Sequence, residues 1–386
     1  MTPRMSRPRG RMLPACLAAG ALSLALVTTT HTAASSPRVD DPPASAFEPT
    51  GLQPAKGYVA QLPFERVDMI NGGVILSFTD LVLPGNAGMD LRLVRNYNSQ
   101  RNGRRWEFGI DGVPIRVGVP AGNGQDCCDY PFLIMADGTT HQTRPRDSVY
   151  GDTVFLTEQF WRYTTTSRTV EMPNGWVATY ESGDPSGGVM LVEVHDQFGN
   201  SITPEWVDSY GHGQRPFRLE SVTQSVGSNS RTVAFTYDAA TCPSAIPETM
   251  TYAGRTWTYA CQASTSGYSG NLLTGVTPPI GPGWSFAHAE GNGLDGSFTV
   301  TTPHGGTVLY DYADQALPSS DSVHRSVVGE RKLYDRGATS PLGTWTFAYE
   351  QSSSIPARGT VAGPGGRSLE FNSAWAVTPG RWILST

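Results

Sequence analysis

From Asn271 to Tyr312 the chain carries a pattern that leaves few folds open to it. Two runs, Ser297 to Thr301 and Thr307 to Tyr312, alternate β-branched or aromatic residues with polar ones, and Pro303-His304-Gly305-Gly306 separates them. Side chains two apart in a strand share a face, so each run has one apolar and one polar side. Glycine takes positive φ at little cost, which suits the intervening segment to a tight reversal. The stretch is a β-hairpin, and a lone hairpin cannot bury its apolar face, so it must lie against others.

Others are present. An aromatic pair with one residue between recurs as Phe235 and Tyr237, Trp257 and Tyr259, Trp284 and Phe286, Tyr310 and Tyr312, and Trp345 with Phe347 and Tyr349. The spacing of roughly twenty to forty residues is that of stacked repeats, in which each unit covers its neighbour. Turn signals recur at Pro173-Asn174-Gly175, Phe198-Gly199-Asn200, Pro278 through Gly283 and Gly363-Pro364-Gly365-Gly366. A ladder of rings along one face of successive hairpins follows. These rings are read as sheet packing in preference to a carbohydrate platform. Gly (43) and Pro (29) with only 16% charged residues fit many short strands and few helices. The fold class is therefore all-β, an elongated antiparallel sheet of repeated hairpins.

The first residues follow a different logic. Arg4, Arg7, Arg9 and Arg11 precede an apolar run from Met12 to Val27, and small residues near Ala33 and Ala34 offer a cleavage site. Residues 1–34 have the layout of a secretory signal, and the expectation is a secreted protein, extracellular or at the cell surface, with no stable membrane span after signal removal. Residues 35–57, rich in Pro, Ala and Ser, make a disordered linker. Regular structure is expected from Tyr58, with strands at Val74 to Leu83 and Met89 to Tyr97. In the second, Leu91, Leu93 and Arg95 fall on one face and Arg92, Val94 and Asn96 on the other, so both faces are open to coverage.

Four cysteines remain of the five once Cys16 is set aside with the signal. An oxidising destination makes disulfides the default. Cys242 and Cys261 flank a hairpin turning near Ala253-Gly254 and are the first choice for a pair. Cys127 and Cys128 are adjacent and then form a vicinal ring, bridge another chain or stay reduced. Asp126 and Asp129 beside them offer carboxylates, but no histidine is near and zinc-type spacing is missing, so no metal is expected.

The turn Asn71-Gly72-Gly73, the strand Ser77-Phe78-Thr79-Asp80-Leu81, the step Leu83-Pro84-Gly85 and the ending Arg95-Asn96-Tyr97-Asn98-Ser99 together resemble the entry segment of bacterial RHS and YD-repeat proteins. The chain departs from that pattern at Arg104-Arg105-Trp106-Glu107-Phe108-Gly109. Phe235-Thr236-Tyr237-Asp238 carries the Tyr-Asp dipeptide of the family, and Arg218 to Thr223, Leu273 to Pro279 and Gly343 to Phe347 look like further units. The resemblance implies a sheet strip that spirals into a shell, with an RHS-type β region over 58–188, hairpin repeats over 189–372 and an irregular tail over 373–386.

No nucleophile elbow is present, since Gly267-Tyr268-Ser269-Gly270 lacks its last glycine, and no zinc-protease helix, phosphate loop or dinucleotide fingerprint occurs. The histidines are spread one to a unit. The net charge of −6 is dispersed, so no nucleic-acid partner is expected. The Asp-Pro-x-Gly-x-x-Arg sequence of toxin-carrying relatives is not found, and the chain reads as a piece of a longer protein. The expectation is a non-enzymatic structural protein without cofactors, part of a shell or surface scaffold. Its partners would be missing C-terminal repeats or another chain at an open sheet edge. The alternative is a glycan-binding or adhesion module using exposed aromatic side chains.

Overall fold

The computed structural model describes residues 58–69, 71–100, 106–118, 130–146, 153–182, 188–208, 217–238, 246–263, 271–290, 296–317, 320–352, 355–373 and 382–385. The expected signal and linker, and Cys127, Cys128 and Cys242, lie outside them. All described residues fall in one compact unit. Among them there is no α-helix, only strands and one 3-10 turn, Pro364–Gly366. The fold is all-β.

Five strands form one sheet: β1 (Tyr58–Val59), β2 (Glu65–Asp68), β3 (Val74–Leu83), β4 (Leu91–Asn98) and β5 (Trp106–Ile110), paired in sequence order. Strand β3 has the bounds its alternation predicts. Strand β4 is buried on both faces over most of its length, with Arg92 the one exposed side chain. That is the pattern of a strand with a layer on each side.

A second sheet takes everything that follows. It begins with β6 (Pro114–Gly118), β7 (Phe132–Met135), β8 (Thr140–Pro145), β9 (Val154–Thr157), β10 (Arg162–Thr164), β11 (Thr169–Glu171), β12 (Val177–Ser182) and β13 (Val189–His195). These eight close into a ring, because Val189 and Met190 of β13 pair with Val117 and Arg116 of β6. The other end of β13 pairs instead with the next strand, Val194 with Ile202 and His195 with Ser201. One strand thus both seals the ring and starts an open strip.

The strip runs through β14 (Ser201–Asp208), β15 (Phe217–Val226), β16 (Asn229–Thr236), β17 (Thr249–Tyr252), β18 (Arg255–Ala263), β19 (Asn271–Thr277) and β20 (Trp284–Glu290). It continues as β21 (Gly296–Thr301), β22 (Thr307–Leu317), β23 (Ser320–Tyr334), β24 (Gly343–Ser352), β25 (Ile355–Ala362), β26 (Ser368–Ser373) and β27 (Trp382–Ser385). Each pairs antiparallel with its successor. The β21–β22 hairpin has the expected register, Thr301 opposite Thr307, with Gly305 at φ 88° in the turn. The β17–β18 turn sits at Ala253-Gly254, both at positive φ as a two-residue hairpin turn requires. Strand β27 falls in the tail that was expected to be irregular, so the strand pairing continues there although the alternation does not.

The core lies between the two sheets. One face of the inner sheet (Leu76, Phe78, Tyr97, Trp106) packs into the same cluster as the strip's Phe286, Phe298 and Tyr310. On its other face Val94 packs with Ile115, Ala136 and the half-buried Trp206. A Cβ at Gly109 would come within 2.5 Å of the Ala136 Cβ, so the backbone of β5 approaches closely there.

Candidate functional site

The aromatic ladder faces this interior. Phe235, Trp257, Tyr259, Phe286, Tyr310, Phe347 and Tyr349 are buried, and Tyr237, Trp284, Tyr312 and Trp345 are half-buried against the same cluster. Pairing carries the rings across strands: Phe298 opposes Tyr310, Tyr310 opposes Arg331 and Arg331 opposes Trp345. The inner sheet meets them ring to ring. Tyr97 stacks on Phe298 at 4.3 Å, Phe78 meets Trp284 edge-on at 4.8 Å, and Trp106 meets Phe286 edge-on at 4.8 Å. Such pairs contribute about 0.5–1.5 kcal/mol each beyond the area they bury.

Two buried ionic groups link the sheets inside this apolar layer, and nothing in the sequence reading singled them out. In the first, the Arg331 guanidinium of β23 binds the Glu65 carboxylate of β2, Nη2 to Oε1 at 2.9 Å and Nε to Oε2 at 3.1 Å, both residues fully buried. Tyr310 donates its hydroxyl to the same carboxylate, as do the backbone N–H groups of Gln61 and Leu62. Burial, then the Glu65 charge, pushes the Tyr310 phenol well above its ordinary value, so it stays a donor. Arg331 also lies 4.5 Å above the Trp345 ring. In the second, Arg95 Nε binds Asp80 at 2.9 Å, Tyr259 of β18 donates to Asp80 at 3.0 Å, and the guanidinium rests 4.3 Å above Phe78. A carboxylate in a dry interior is tolerated only when paired and hydrogen-bonded, and here each has a cation plus a tyrosine from the facing strip. Chemically these groups are holders: a satisfied carboxylate and a neutral phenol present no activated nucleophile.

Backbone contacts add to the clasp. Val328 N–H donates to the Gly72 carbonyl at 2.8 Å, and Gln224 of β15 donates to the Met89 carbonyl at 2.7 Å. Opposite Tyr349 the strip has Gly359, where a Cβ would come within 2.6 Å of the Met69 carbonyl oxygen. Glycine is what lets the two backbones approach.

The described histidines stay apart. His141 on β8 hydrogen-bonds Gln159, His195 lies 3.8 Å from Glu193, His288 stacks on Phe298, and His304 sits in a turn. The side chain of His324 and all of His212 are outside the described residues. Among the described residues no three His, Cys, Asp or Glu side chains gather in a way that would hold a metal ion. Cys261 is half-buried on β18 against the core, while its expected partner Cys242 is not among the described residues. No helix among the described residues is long and apolar enough to cross a membrane.

Residues 64–111 match a family described as a domain of unknown function, DUF6531. That span is the inner sheet apart from β1. Among solved structures, the chain is similar to the Photorhabdus luminescens Tc holotoxin pore carrying a mutation in TccC3, at 11% identity and TM-score 0.37, over 87% of this chain and 22% of that one. It is also similar to the TcdB2-TccC3 structure, at 12% identity and TM-score 0.29, over 85% of this chain and 17% of that one. The chain therefore spans about a fifth of the length of the structures it matches. No curated protein matches it.

Proposed function

We propose that this protein is a structural, non-catalytic YD-repeat-type component, a stretch of β-sheet wall in a shell or cell-surface scaffold, exported after removal of its leader. The observation that carries the reading is the strip itself: strands β14 to β27 pair each with the next, and their aromatic face closes over an inner sheet. A wall of this kind can be lengthened by adding hairpins without redesigning what is already built, because each contacts chiefly its neighbours. We infer that the end of the strip pairs with a further repeat or with another chain, which is the partner proposed here. The sequence resemblance to RHS proteins, and the family match at the inner sheet, support placing the chain within a longer protein of that type.

The glycan platform built from ladder aromatics is not carried forward, since those rings are buried or half-buried in the core. A bridge between Cys242 and Cys261 belongs to the same proposal and follows from export.

Three measurements test the reading. N-terminal sequencing of protein recovered from the culture medium should begin close to Ser35; retention of the full leader in the cytoplasm would sink export. Co-expression with the genomic sequence following the last codon should co-purify the downstream product with this chain, and independent elution would remove the wall. Screening against glycosidic and peptide substrates should give no turnover; turnover abolished by one point substitution would replace the structural reading with a catalytic one.

A further inference from the structure

The second face of the inner sheet holds a feature that the wall does not use. A pocket of about 410 Å³ opens between strands β3 to β5, the Asp111-Gly112 turn and the β7–β8 hairpin. Small-molecule pockets run from about 300 to 1,000 Å³, so it is large enough for a compact ligand. Asn96 lines it. The residue is 3% exposed, and neither its Oδ1 nor its Nδ2 has a hydrogen-bond partner in the protein. A buried carboxamide left this way is destabilising, and a ligand that paired with it would remove that cost.

Asn96 is placed there by register. It pairs with Ser77 on β3 and Glu107 on β5, and Ser77 also lines the pocket. The charged lining is of mixed sign, with Arg66, Asp111 and Asp137. An anion would meet the two carboxylates, and a cation would meet the guanidinium. Neutral hydroxyls suit both, because each can donate to a carboxylate and accept from Arg66 or the Asn96 amide. His141 also lines the pocket. Burial lowers its pKa, with Gln159 and Asp137 opposing, which favours the neutral ring. Its Nδ1 is 2.9 Å from the Gln159 Oε1, and its ring is held at 4.8 Å from Trp161. With the proton on Nδ1, Nε2 is left as an acceptor. Val94, Ile110 and Met135 give the pocket apolar wall for C–H groups.

We propose that this pocket binds a neutral polyhydroxylated ring of monosaccharide size, with Asn96 both donating to and accepting from its hydroxyls. The site is independent of the aromatic ladder and of the wall, and stands or falls separately from them.

Saturation-transfer NMR and calorimetry on the purified chain, with glucose, galactose, N-acetylglucosamine and myo-inositol as probes and trialanine and inorganic phosphate as comparators, test it. At least one polyol should bind once per chain, in the range of about 1 mM, as a few hydrogen bonds in a pre-formed site allow. Asn96→Ala should weaken that binding about tenfold, equivalent to one lost hydrogen-bonding group. Asp111→Asn, an exposed substitution that leaves the fold intact, should weaken it by a smaller factor. No polyol binding, binding unchanged in both variants, or preference for trialanine or phosphate would each overturn the assignment.

Discussion

The inner sheet and the strip that closes over it are both antiparallel and both read from the same residue types, yet they are buried differently. Strand β16 of the strip shows only Val233 and Phe235 buried between exposed or half-exposed neighbours, and β21 buries only Phe298 and Val300. Strand β4 of the inner sheet is covered on both faces. The strip therefore follows the one-sided rule of a sheet with a wet face, and β4 follows that of a central strand. The ionic groups sit where the two sheets meet: Glu65 is met by Arg331 and Tyr310 of the strip, and Asp80 by Arg95 of its own sheet and Tyr259 of the strip.

Breaking that meeting point should have the largest effect. Arg331→Met leaves the Glu65 carboxylate buried without its cation, and a loss of about 3–5 kcal/mol is expected in denaturant unfolding. Adding Glu65→Leu should restore part of it; a double variant no better than the single one would mean that the pair is not what holds the layer. Phe298→Ala comes next, on the strip but stacked on the inner sheet, with an expected loss of about 3–4 kcal/mol. Leu369→Ala, on the strip's half-exposed side, should stay within about 0.5 kcal/mol. Equal costs at the two positions would break the one-sided description of the strip.

A backbone probe falls between Phe298→Ala and Leu369→Ala. Gly72 has φ 67°, and a Cβ there would come within 2.4 Å of the Val327 Cβ on the strip. Gly72→Ala should cost about 2 kcal/mol from the clash together with the strained backbone, read as a lowered midpoint at unchanged slope. A neutral result would show that the two sheets part easily.

The pH dependence of stability reports on the second face. Burial holds the His141 pKa below its ordinary 6.5, so the neutral ring favours the fold. Its contribution is complete above pH 6.5 and is lost as pH falls from there towards the lowered folded value, because the unfolded chain takes up the proton first. His141→Gln should flatten the stability profile in that window; an unchanged slope would move the effect to another group. A change of opposite sign is expected at the β17–β18 turn, where Ala253 has φ 49°. Ala253→Gly should relieve the left-handed strain and raise stability by about 0.5 kcal/mol, and a loss would show that the chain entropy of glycine outweighs it.

Local features of this kind are legible in the sequence. The bounds of β3, the turn at Ala253-Gly254, the reversal around Gly305 and the shared face of Trp257 with Tyr259 each depend on a few adjacent residues. The double coverage of β4 was partly legible, since apolar residues fall on both of its faces. The candidate pocket was not. Asn96 looks like any polar residue in an alternating strand, and its isolation depends on the β7–β8 hairpin, which comes from a separate part of the chain.

Sequence alone determined that this protein is built of hairpins, where most of them turn and which rings share a face, because strand period and turn conformation are set by neighbours along the chain. Tertiary structure alone decided that β13 closes a ring on β6, that the strip folds over the first sheet, and that Glu65 meets Arg331 across 266 positions. Pairing between distant strands is chosen by how all the faces are covered at once, and no local pattern records that choice.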